Sequence, residues 1–252
     1  MNKHLLLVCA ILVQSLTAQH LLIQMYNEKN ADRQAELLYC IERNIRSKFF
    51  TTITIFYDGT PDDNTYQKLK LLQAIAPTMV SINCVQGRTT YRQMFAFANT
   101  NIAWGEVICL ANADIFFDES ILLSDTIKDQ ELFAVGRYET MSGTLHGPWE
   151  LSSVAHSSQD LWVFRNPCAI QCFAPTTDSG KIILHDTAFP LGVWGCDGTI
   201  ARIANEQEIP VSNPCLSIKI YHWHTSAVRN YKPTQTIGDK SSWLDVEPSA
   251  ID

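Results

Sequence analysis

Strand and helix patterns alternate along the first 110 residues, and this alternation limits the possible folds more than any other feature of the chain. Four short runs are rich in β-branched and other apolar residues, as β-strands are. The segments between them carry apolar residues at helical spacing, which over 31–46 are Ala35, Leu38, Ile41 and Ile45. Regular alternation of this kind predicts a parallel sheet covered by helices. The predicted strands are 20–25, 51–56, 80–85 and 106–110, and the predicted helices are 31–46, 64–75 and 90–103.

The second half of the chain is less regular. We predict strands around 132–138, 161–164 and 216–221 and a helix over 197–206, and the loops at 139–158 and 172–188 carry no pattern. No internal repeat and no linker rich in glycine and serine divides the chain. We therefore predict a single α/β domain over 19–252, with a regular half (19–118) and a less regular half (119–252).

Composition excludes two large classes of protein. Hydrophobic residues make up 46% of the 252 residues, which is enough for one full-sized core. The formal net charge is −7, which argues against a nucleic-acid partner. The one long apolar stretch lies at the N-terminus, so the chain is not a multi-span membrane protein.

Residues 1–18 resemble a secretory signal peptide. Lys3 precedes an apolar run over 5–13, and cleavage after Ala18 would place Leu16 where a small residue is preferred. An uncleaved anchor and an ordinary N-terminal extension are the alternatives. The chain is secreted or exported if the signal is real, and cytoplasmic otherwise.

Eight cysteines are too few for a fold held together by disulfides. Their spacing also disfavours a structural zinc site. A disulfide among Cys168, Cys172, Cys196 and Cys215 is left open.

Polar residues gather where the predicted strands end. Ligands of open α/β sheets bind beyond the carboxyl ends of the strands, so 26–30, 58–62, 86–92 and 111–118 are the candidate binding segments. In the last of these, an apolar strand leads directly to Asn112 and Asp114. A carboxylate at such a place can ligate a hard divalent cation that also takes phosphate oxygens. An Asx turn or helix cap is the alternative.

Three segments resemble GT-A-fold glycosyltransferases in the correct order over about 95 residues. These are Met25-Tyr26-Asn27-Glu28, Phe56-Tyr57-Asp58-Gly59-Thr60, and 104–114, which ends in Ala111-Asn112-Ala113-Asp114. In that family the first turn holds the nucleotide base, the second segment is Asp-Asp-Gly-Ser, and the third delivers an Asp-x-Asp metal motif.

The resemblance implies a mixed, mostly parallel GT-A-like sheet flanked by helices, with a nucleotide-binding half (19–118) and an acceptor half (119–252). It also implies a UDP- or GDP-sugar donor, whose diphosphate is bridged by Mn²⁺ or Mg²⁺. Asp114 would then be the metal ligand, and Asn112 would contact the ribose. The remaining donor contacts implied are Tyr26, Asn27, Glu28 and Asp58.

The sequence departs from the family pattern at two places. Asn112 replaces the first aspartate of the metal motif. Residues 189–197 resemble the region that carries the acceptor-side catalytic carboxylate, but Cys196 precedes Asp197 where Glu-Asp is usual. No Gln-x-x-Arg-Trp motif follows, which disfavours a processive polysaccharide synthase.

Two histidines near the C-terminus are candidates to complete the metal site. His222 and His224 point to the same side of a strand, so one imidazole could ligate the cation and the other could support it or contact phosphate. Two solvent-facing histidines on an edge strand are the alternative. Arg92 and Arg229 could neutralise the diphosphate, or be ordinary surface cations.

The resemblance and these residues together predict a metal-dependent glycosyltransferase that moves a sugar from a nucleotide donor to a hydroxyl of a glycan or other acceptor. Inversion of the anomeric centre is implied by the resemblance alone. Asp197 is the first candidate for the general base and Asp160 the second. Asp160 could instead hold an acceptor hydroxyl or the donor sugar, or cap a turn. The alternative functions are an inactive GT-A-like or secreted carbohydrate-binding protein, and a metal-dependent phosphoester or nucleotide-sugar hydrolase.

Overall fold

The computed structural model describes residues 18–171, 175–178, 181–184, 186–226, 228 and 236–251, with backbone only for 175–178 and 181–184. The helices are α1 (Ala31–Ser47), α2 (Asn64–Gln73), α3 (Tyr91–Asn101) and α4 (Cys196–Glu206), with short 3₁₀-helices at Glu119–Thr126 and Lys240–Ser242. The strands of the first half are β1 (Gln19–Tyr26), β2 (Thr52–Asp58), β3 (Val80–Val85), β4 (Val107–Ala111) and β5 (Ile115–Phe117). Those of the second half are β6 (Leu132–Gly136), β7 (Tyr138–Thr140), β8 (Trp149–Leu151), β9 (Gln159–Arg165), β10 (Pro175–Asp178), β11 (Lys181–Leu184), β12 (Val211–Ser212) and β13 (Ile220–His222).

Seven strands form the central sheet in the order β12-β6-β9-β4-β1-β2-β3. Strands β3, β2, β1 and β4 are parallel neighbours, whereas β9 runs antiparallel to both β4 and β6. The predicted mixed, mostly parallel sheet is confirmed. Because β9 runs the opposite way, its first residues lie at the same edge as the carboxyl ends of β1, β2 and β4.

A second sheet has the order β5-β13-β7-β8, and β10 pairs with β11 in a hairpin. Strand β8 and all of β7 except Tyr138 lie within 139–158, where the sequence carried no pattern. The strand predicted at 216–221 begins only at Ile220. The earlier residues form a turn, in which the N–H groups of Ser217 and Ile218 donate to the carbonyl of Pro214.

The two faces of the central sheet are covered by two hydrophobic cores. Alternate residues of β1 point to opposite faces. Leu21 packs in the core that contains Ile41 of α1, whereas Leu22 packs in the core that contains Phe95 of α3 and Ile200 of α4. Each fully buried side chain of this size contributes roughly 1.5–3 kcal/mol relative to exposure. Packing on both faces of the sheet thus holds in place the strand ends that carry the candidate site.

Helix α1 differs from its prediction at its N-terminal end. Ala35 is exposed, so its assignment to the apolar face was wrong, and Leu37 takes that place in the core. Arg33 and Glu36 are buried beside Leu37. The first turns of α1 therefore bury charge as well as hydrocarbon.

The predicted signal peptide lies outside the described residues except for Ala18. Within the described ranges, no helix is long and apolar enough to cross a membrane. Cys196 and Cys215 are buried free thiols, and Cys172 lies outside the described residues.

Candidate active site

A cavity of about 960 Å³ opens at the edge of the central sheet where β1 and β4 end. A smaller cavity of about 330 Å³ adjoins it and shares Tyr26 and Arg88 in its wall. The predicted site residues that line the larger cavity are Tyr26, Asn112, Asp114, Asp160, Asp197, His222 and His224. Those that line the smaller one are Tyr26, Asn27, Glu28 and Asp58.

Asp114, His222 and His224 form a cluster in which one ligand atom from each residue lies within 4.8 Å of the others. Strand pairing explains how residues so distant in sequence meet. Strand β13 pairs antiparallel with β5, which places His222 opposite Ile115, the residue after Asp114. The N–H of Trp223 then donates to the carbonyl of Asp114 at 2.9 Å.

The charged state of this cluster is set by burial and by close partners. Burial disfavours ionisation of Asp114, but His222 and Arg33 outweigh it and hold the pKa of the Asp114 carboxyl well below its usual range. Burial likewise opposes the charge on His222, but the Asp114 carboxylate at 3.2 Å raises the pKa of His222 to about 9. In the metal-free protein, a protonated His222 therefore pairs with an ionised Asp114.

His224 shows that the cluster fits a divalent cation. Its Nε2 is buried and has no hydrogen-bond partner within the described part of the chain. Buried polar atoms nearly always have a partner, so an unpaired imidazole nitrogen beside a carboxylate favours a missing ligand. Burial also lowers the pKa of His224, which leaves the imidazole neutral and able to ligate a metal. One carboxylate and two imidazoles suit a divalent first-row transition-metal cation.

Arg33 is the member of the site that the sequence did not reveal. Its Nη2 lies 2.5 Å from Oδ2 of Asp114, and its Nη1 donates to Glu36 at 3.0 Å. The Glu36 carboxylate also accepts hydrogen bonds from the backbone N–H and the hydroxyl of both Thr225 and Ser226. Burial alone distinguishes Arg33 and Glu36 from an ordinary surface ion pair three residues apart, and the sequence does not reveal burial.

Asn112 and Asp160 meet across the pair formed by β4 and β9. The Asn112 side-chain amide donates to Oδ1 of Asp160 at 2.7 Å. Arg137, which directly follows β6, donates to Oδ2 of Asp160 at 2.7 Å and to Glu139 at 2.8 Å. Asp160 therefore supplies a carboxylate at the edge where the family motif would place its first aspartate.

Asp197 lies in the first turn of α4 and lines the cavity. Burial and the neighbouring Asp160 carboxylate raise the pKa of the Asp197 carboxyl above its ordinary range. The Cys196 thiol donates to Oδ1 of Asp197 at 3.1 Å. An acid with a raised pKa is suited to take up a proton near neutral pH.

The smaller cavity is built from the turns that follow β1 and β2. The N–H of Asn27 donates to the carbonyl of Asp58 at 3.1 Å, and the Asp58 carboxylate accepts from the N–H of Gly87 at 3.0 Å. Glu28 accepts from the N–H of Asn30, which begins α1. These bonds bring the three turns together around one opening.

Of the two predicted diphosphate-binding cations, only Arg92 belongs to the described residues. Arg92 is absent from the described wall of either cavity, and its guanidinium pairs with Asp186. Arg229 lies outside the described residues. Arg33 and Arg88 are instead the arginines that line the larger cavity near Tyr26.

No protein-family model matches the chain, and no curated protein matches it. Among solved structures, GalNAc-T7 with UDP, GalNAc and Mn²⁺ aligns with 90% of this chain and 47% of its own, at 9% identity and a TM-score of 0.53. A mannosyltransferase from Pyrobaculum calidifontis, in complex with GDP-Man and Mn²⁺, aligns with 59% of this chain and 44% of its own, at 10% identity and a TM-score of 0.40. A 4-diphosphocytidyl-2C-methyl-D-erythritol synthase from Anaerococcus prevotii aligns with 60% of this chain and 71% of its own, at 11% identity and a TM-score of 0.39.

The chain spans about half the length of the first two of these proteins. The alignment with GalNAc-T7 covers both halves of the domain, and the comparison of folds is based on it. The chain has a GT-A-like fold, as the resemblance of its sequence to GT-A-fold glycosyltransferases predicts.

Proposed function

We propose that this protein is a metal-dependent glycosyltransferase that uses a nucleotide-sugar donor, a UDP- or GDP-sugar, and an acceptor hydroxyl. The observation that carries the proposal is the cluster of Asp114, His222 and His224 in the wall of a large open cavity at the strand ends of a GT-A-like sheet. GalNAc-T7, which shares this fold, was solved with UDP and Mn²⁺. A fold alone does not establish an activity, so the cluster is the stronger support.

The donor is expected to lie across the two cavities. The smaller one, with Asn27, Glu28 and Asp58 in its wall, would receive the nucleoside. Tyr26 lines both cavities, so the diphosphate would pass it to reach the metal cluster. Asn112 and Asp160 together offer an amide oxygen and a carboxylate to hydroxyls of the ribose or the donor sugar.

Mn²⁺ or Mg²⁺ would be held by Asp114, His222 and His224, and it would offset negative charge on the departing diphosphate. His222 is pre-positioned for this role. Its Nδ1 faces Glu139 at 3.7 Å while its Nε2 faces Asp114. A carboxylate behind a ligating imidazole orients the ring and increases its basicity.

Asp197 is the proposed general base, with Asp160 the second candidate. The base takes the proton of the acceptor hydroxyl, the freed oxygen bonds to the anomeric carbon, and the bond to the diphosphate breaks with its electron pair. An in-line attack of this kind inverts the anomeric centre. Trp194 and Trp243, whose rings lie 6.3 Å apart, line the same cavity and offer apolar faces to an acceptor sugar.

A panel of UDP, GDP, CMP and dTDP, each with and without Mn²⁺, tests the donor half of the proposal by thermal shift. Binding to the native state raises the melting temperature. The proposal predicts that UDP or GDP stabilises the protein only with Mn²⁺, and that Asp114→Ala removes this effect. Asp129→Asn, which changes an exposed acid, is the matched control.

Turnover separates the proposal from its alternatives. A transferase releases the nucleoside diphosphate only when an acceptor is present, and NMR of the new linkage shows whether the anomeric centre is inverted. Release of nucleotide and free sugar without acceptor would indicate the hydrolase. Nucleotide binding with no turnover on any glycan acceptor would indicate an inactive GT-A-like protein.

A further inference from the structure

Helix α1 carries a buried arginine, Arg33, in the wall of the larger cavity, and neither the metal cluster nor the proposed base explains it. Its side chain is 7% exposed. Its Nη2 bonds to Asp114 at 2.5 Å, and its Nη1 donates to Glu36 at 3.0 Å and to the carbonyl of Trp223 at 3.4 Å. Burying a guanidinium is costly unless it is paired, and here Asp114 and Glu36 are the paired carboxylates.

The Nε of Arg33 is buried and lacks a hydrogen-bond partner within the described residues. The guanidinium otherwise presents a planar set of N–H donors that matches the oxygens of a phosphate group. The unpaired Nε and the position beside the cavity together favour an anionic ligand in contact with Arg33.

Arg33 and a bound cation would compete for the same carboxylate. Arg33 donates to Oδ2 of Asp114, the oxygen that also faces His222 of the metal cluster. Glu36 offsets the charge of Arg33, and Glu139 lies 3.7 Å from His222, but neither carboxylate belongs to the cluster. A nucleoside diphosphate in the cavity would accept hydrogen bonds from Arg33 and ligate the cation, and it would so relieve this competition for Asp114.

We propose that Arg33 binds the diphosphate of the donor and makes the binding of cation and nucleotide mutually dependent. The inference rests on the proposed function and adds to it a residue and a coupling between the binding of its two ligands. Without nucleotide, Arg33 occupies Oδ2 of Asp114 and repels a cation from the cluster. With nucleotide, the diphosphate attracts both charges and offsets their repulsion.

The proposal predicts effects of opposite sign on two measurements. Arg33→Met removes the competing charge from Asp114, so Mn²⁺ alone should bind about tenfold more tightly or better. The same variant loses a phosphate contact, so UDP or GDP with Mn²⁺ should bind roughly 10- to 100-fold more weakly. Arg33→Lys, which keeps the charge but loses the planar donors, should fall between the wild type and Arg33→Met for nucleotide.

A purely structural role predicts a different result. Arg33 pairs with Glu36, which in turn holds Thr225 next to His224. If Arg33 only supports this loop, its loss displaces His224 and weakens Mn²⁺ and nucleotide together. Glu36→Gln would then weaken the binding of Mn²⁺ and nucleotide as Arg33→Met does. Our proposal does not predict this result, because Glu36→Gln leaves the charge of Arg33 in place.

Isothermal titration calorimetry decides between these outcomes. Mn²⁺ alone, then UDP and GDP with Mn²⁺, are titrated into the full chain of the wild type, Arg33→Met, Arg33→Lys, Glu36→Gln and the exposed control Arg46→Met. The expected result is the opposite-sign pattern for Arg33→Met and no change for Arg46→Met. Equal weakening of metal and nucleotide, or unchanged nucleotide binding, would overturn the role of Arg33. If the wild type binds neither nucleotide, the proposed function itself fails and Arg33 loses its role with it.

Discussion

Asn112 donates its side-chain amide to the carboxylate of Asp160 across 2.7 Å, and this contact explains why the chain departs from the Asp-x-Asp pattern. An aspartate at 112 would face the Asp160 carboxylate with no donor between them. Arg137 already donates to the other oxygen of Asp160, and its positive charge offsets the single negative charge of that carboxylate. An amide at 112 can therefore donate to the carboxylate at 160, whereas a second ionised carboxylate could not.

Asn112→Asp should consequently destabilise the protein, although it restores the family motif. Two carboxylates in direct contact cost about 1–3 kcal/mol until one of them takes up a proton. The loss of melting temperature should be larger at pH 8 than at pH 5, because protonation relieves the repulsion. Thermal unfolding of the variant and the wild type at the two pH values measures this loss, and a loss at pH 8 that is no larger than the loss at pH 5 would contradict the prediction.

Asp197→Asn should stabilise the protein and abolish transfer. Burial and the Asp160 carboxylate raise the pKa of the folded Asp197 above its unfolded value, so the wild type loses stability as pH rises from about 4 towards the raised value. The amide removes that loss, and the melting temperature at pH 7.5 should rise by roughly 2–8 °C. The gain should vanish below pH 4. A variant that retains full turnover would exclude Asp197 as the base.

His224→Ala should weaken Mn²⁺ binding measured with UDP or GDP by at least about 100-fold, since even a lost supporting partner of a metal ligand costs 10- to 100-fold. Among the described residues the imidazole Nε2 has no hydrogen-bond partner, so the free energy of unfolding should change little. His146→Ala alters an exposed histidine and serves as the control. Calorimetry and urea unfolding measure the two effects, and a large loss of stability with intact metal binding would indicate a structural role.

Gly198→Ala should destabilise the protein, although alanine favours helices over glycine by about 1 kcal/mol. An added Cβ at 198 would lie 2.5 Å from Cβ of Trp243, because the C-terminal segment packs directly on α4. Overpacking of this kind typically costs about 1–3 kcal/mol. Urea unfolding checks the sign, and a stabilised variant would show that this segment does not pack on α4 in solution.

Much of the regular half of the fold could be predicted because its signals are local. The strand over 80–85 has the predicted bounds, and helix α3 (Tyr91–Asn101) lies within its predicted range. Apolar periodicity and turn residues act over a few positions, so they can be recognised without knowledge of the tertiary structure. The parallel order of the strands then placed the polar strand ends at one edge, where the candidate site lies.

The predicted histidine pair lies beside the predicted ligand Asp114, but the strand pairing that brings them together and the buried Arg33 could not be predicted. His222 reaches Asp114 through the pairing of β13 with β5, across 108 positions of sequence. Arg33 reaches Asp114 across 81 positions, and nothing in the pattern of α1 distinguishes Arg33 from a surface arginine. Arg92, for which the sequence left open a diphosphate contact or a surface position, pairs with Asp186 and is absent from the described wall of either cavity.

The sequence by itself determined the alternating strands and helices, the polar strand ends and the supply of candidate ligands, since these depend on residue type and short-range spacing. The tertiary structure decided which charges are neighbours. The antiparallel direction of β9 brings Asp160 to Asn112, and the packing of α1 buries Arg33 against Asp114. Electrostatic interactions depend on distance and burial, and both are set only when segments far apart in sequence pack together.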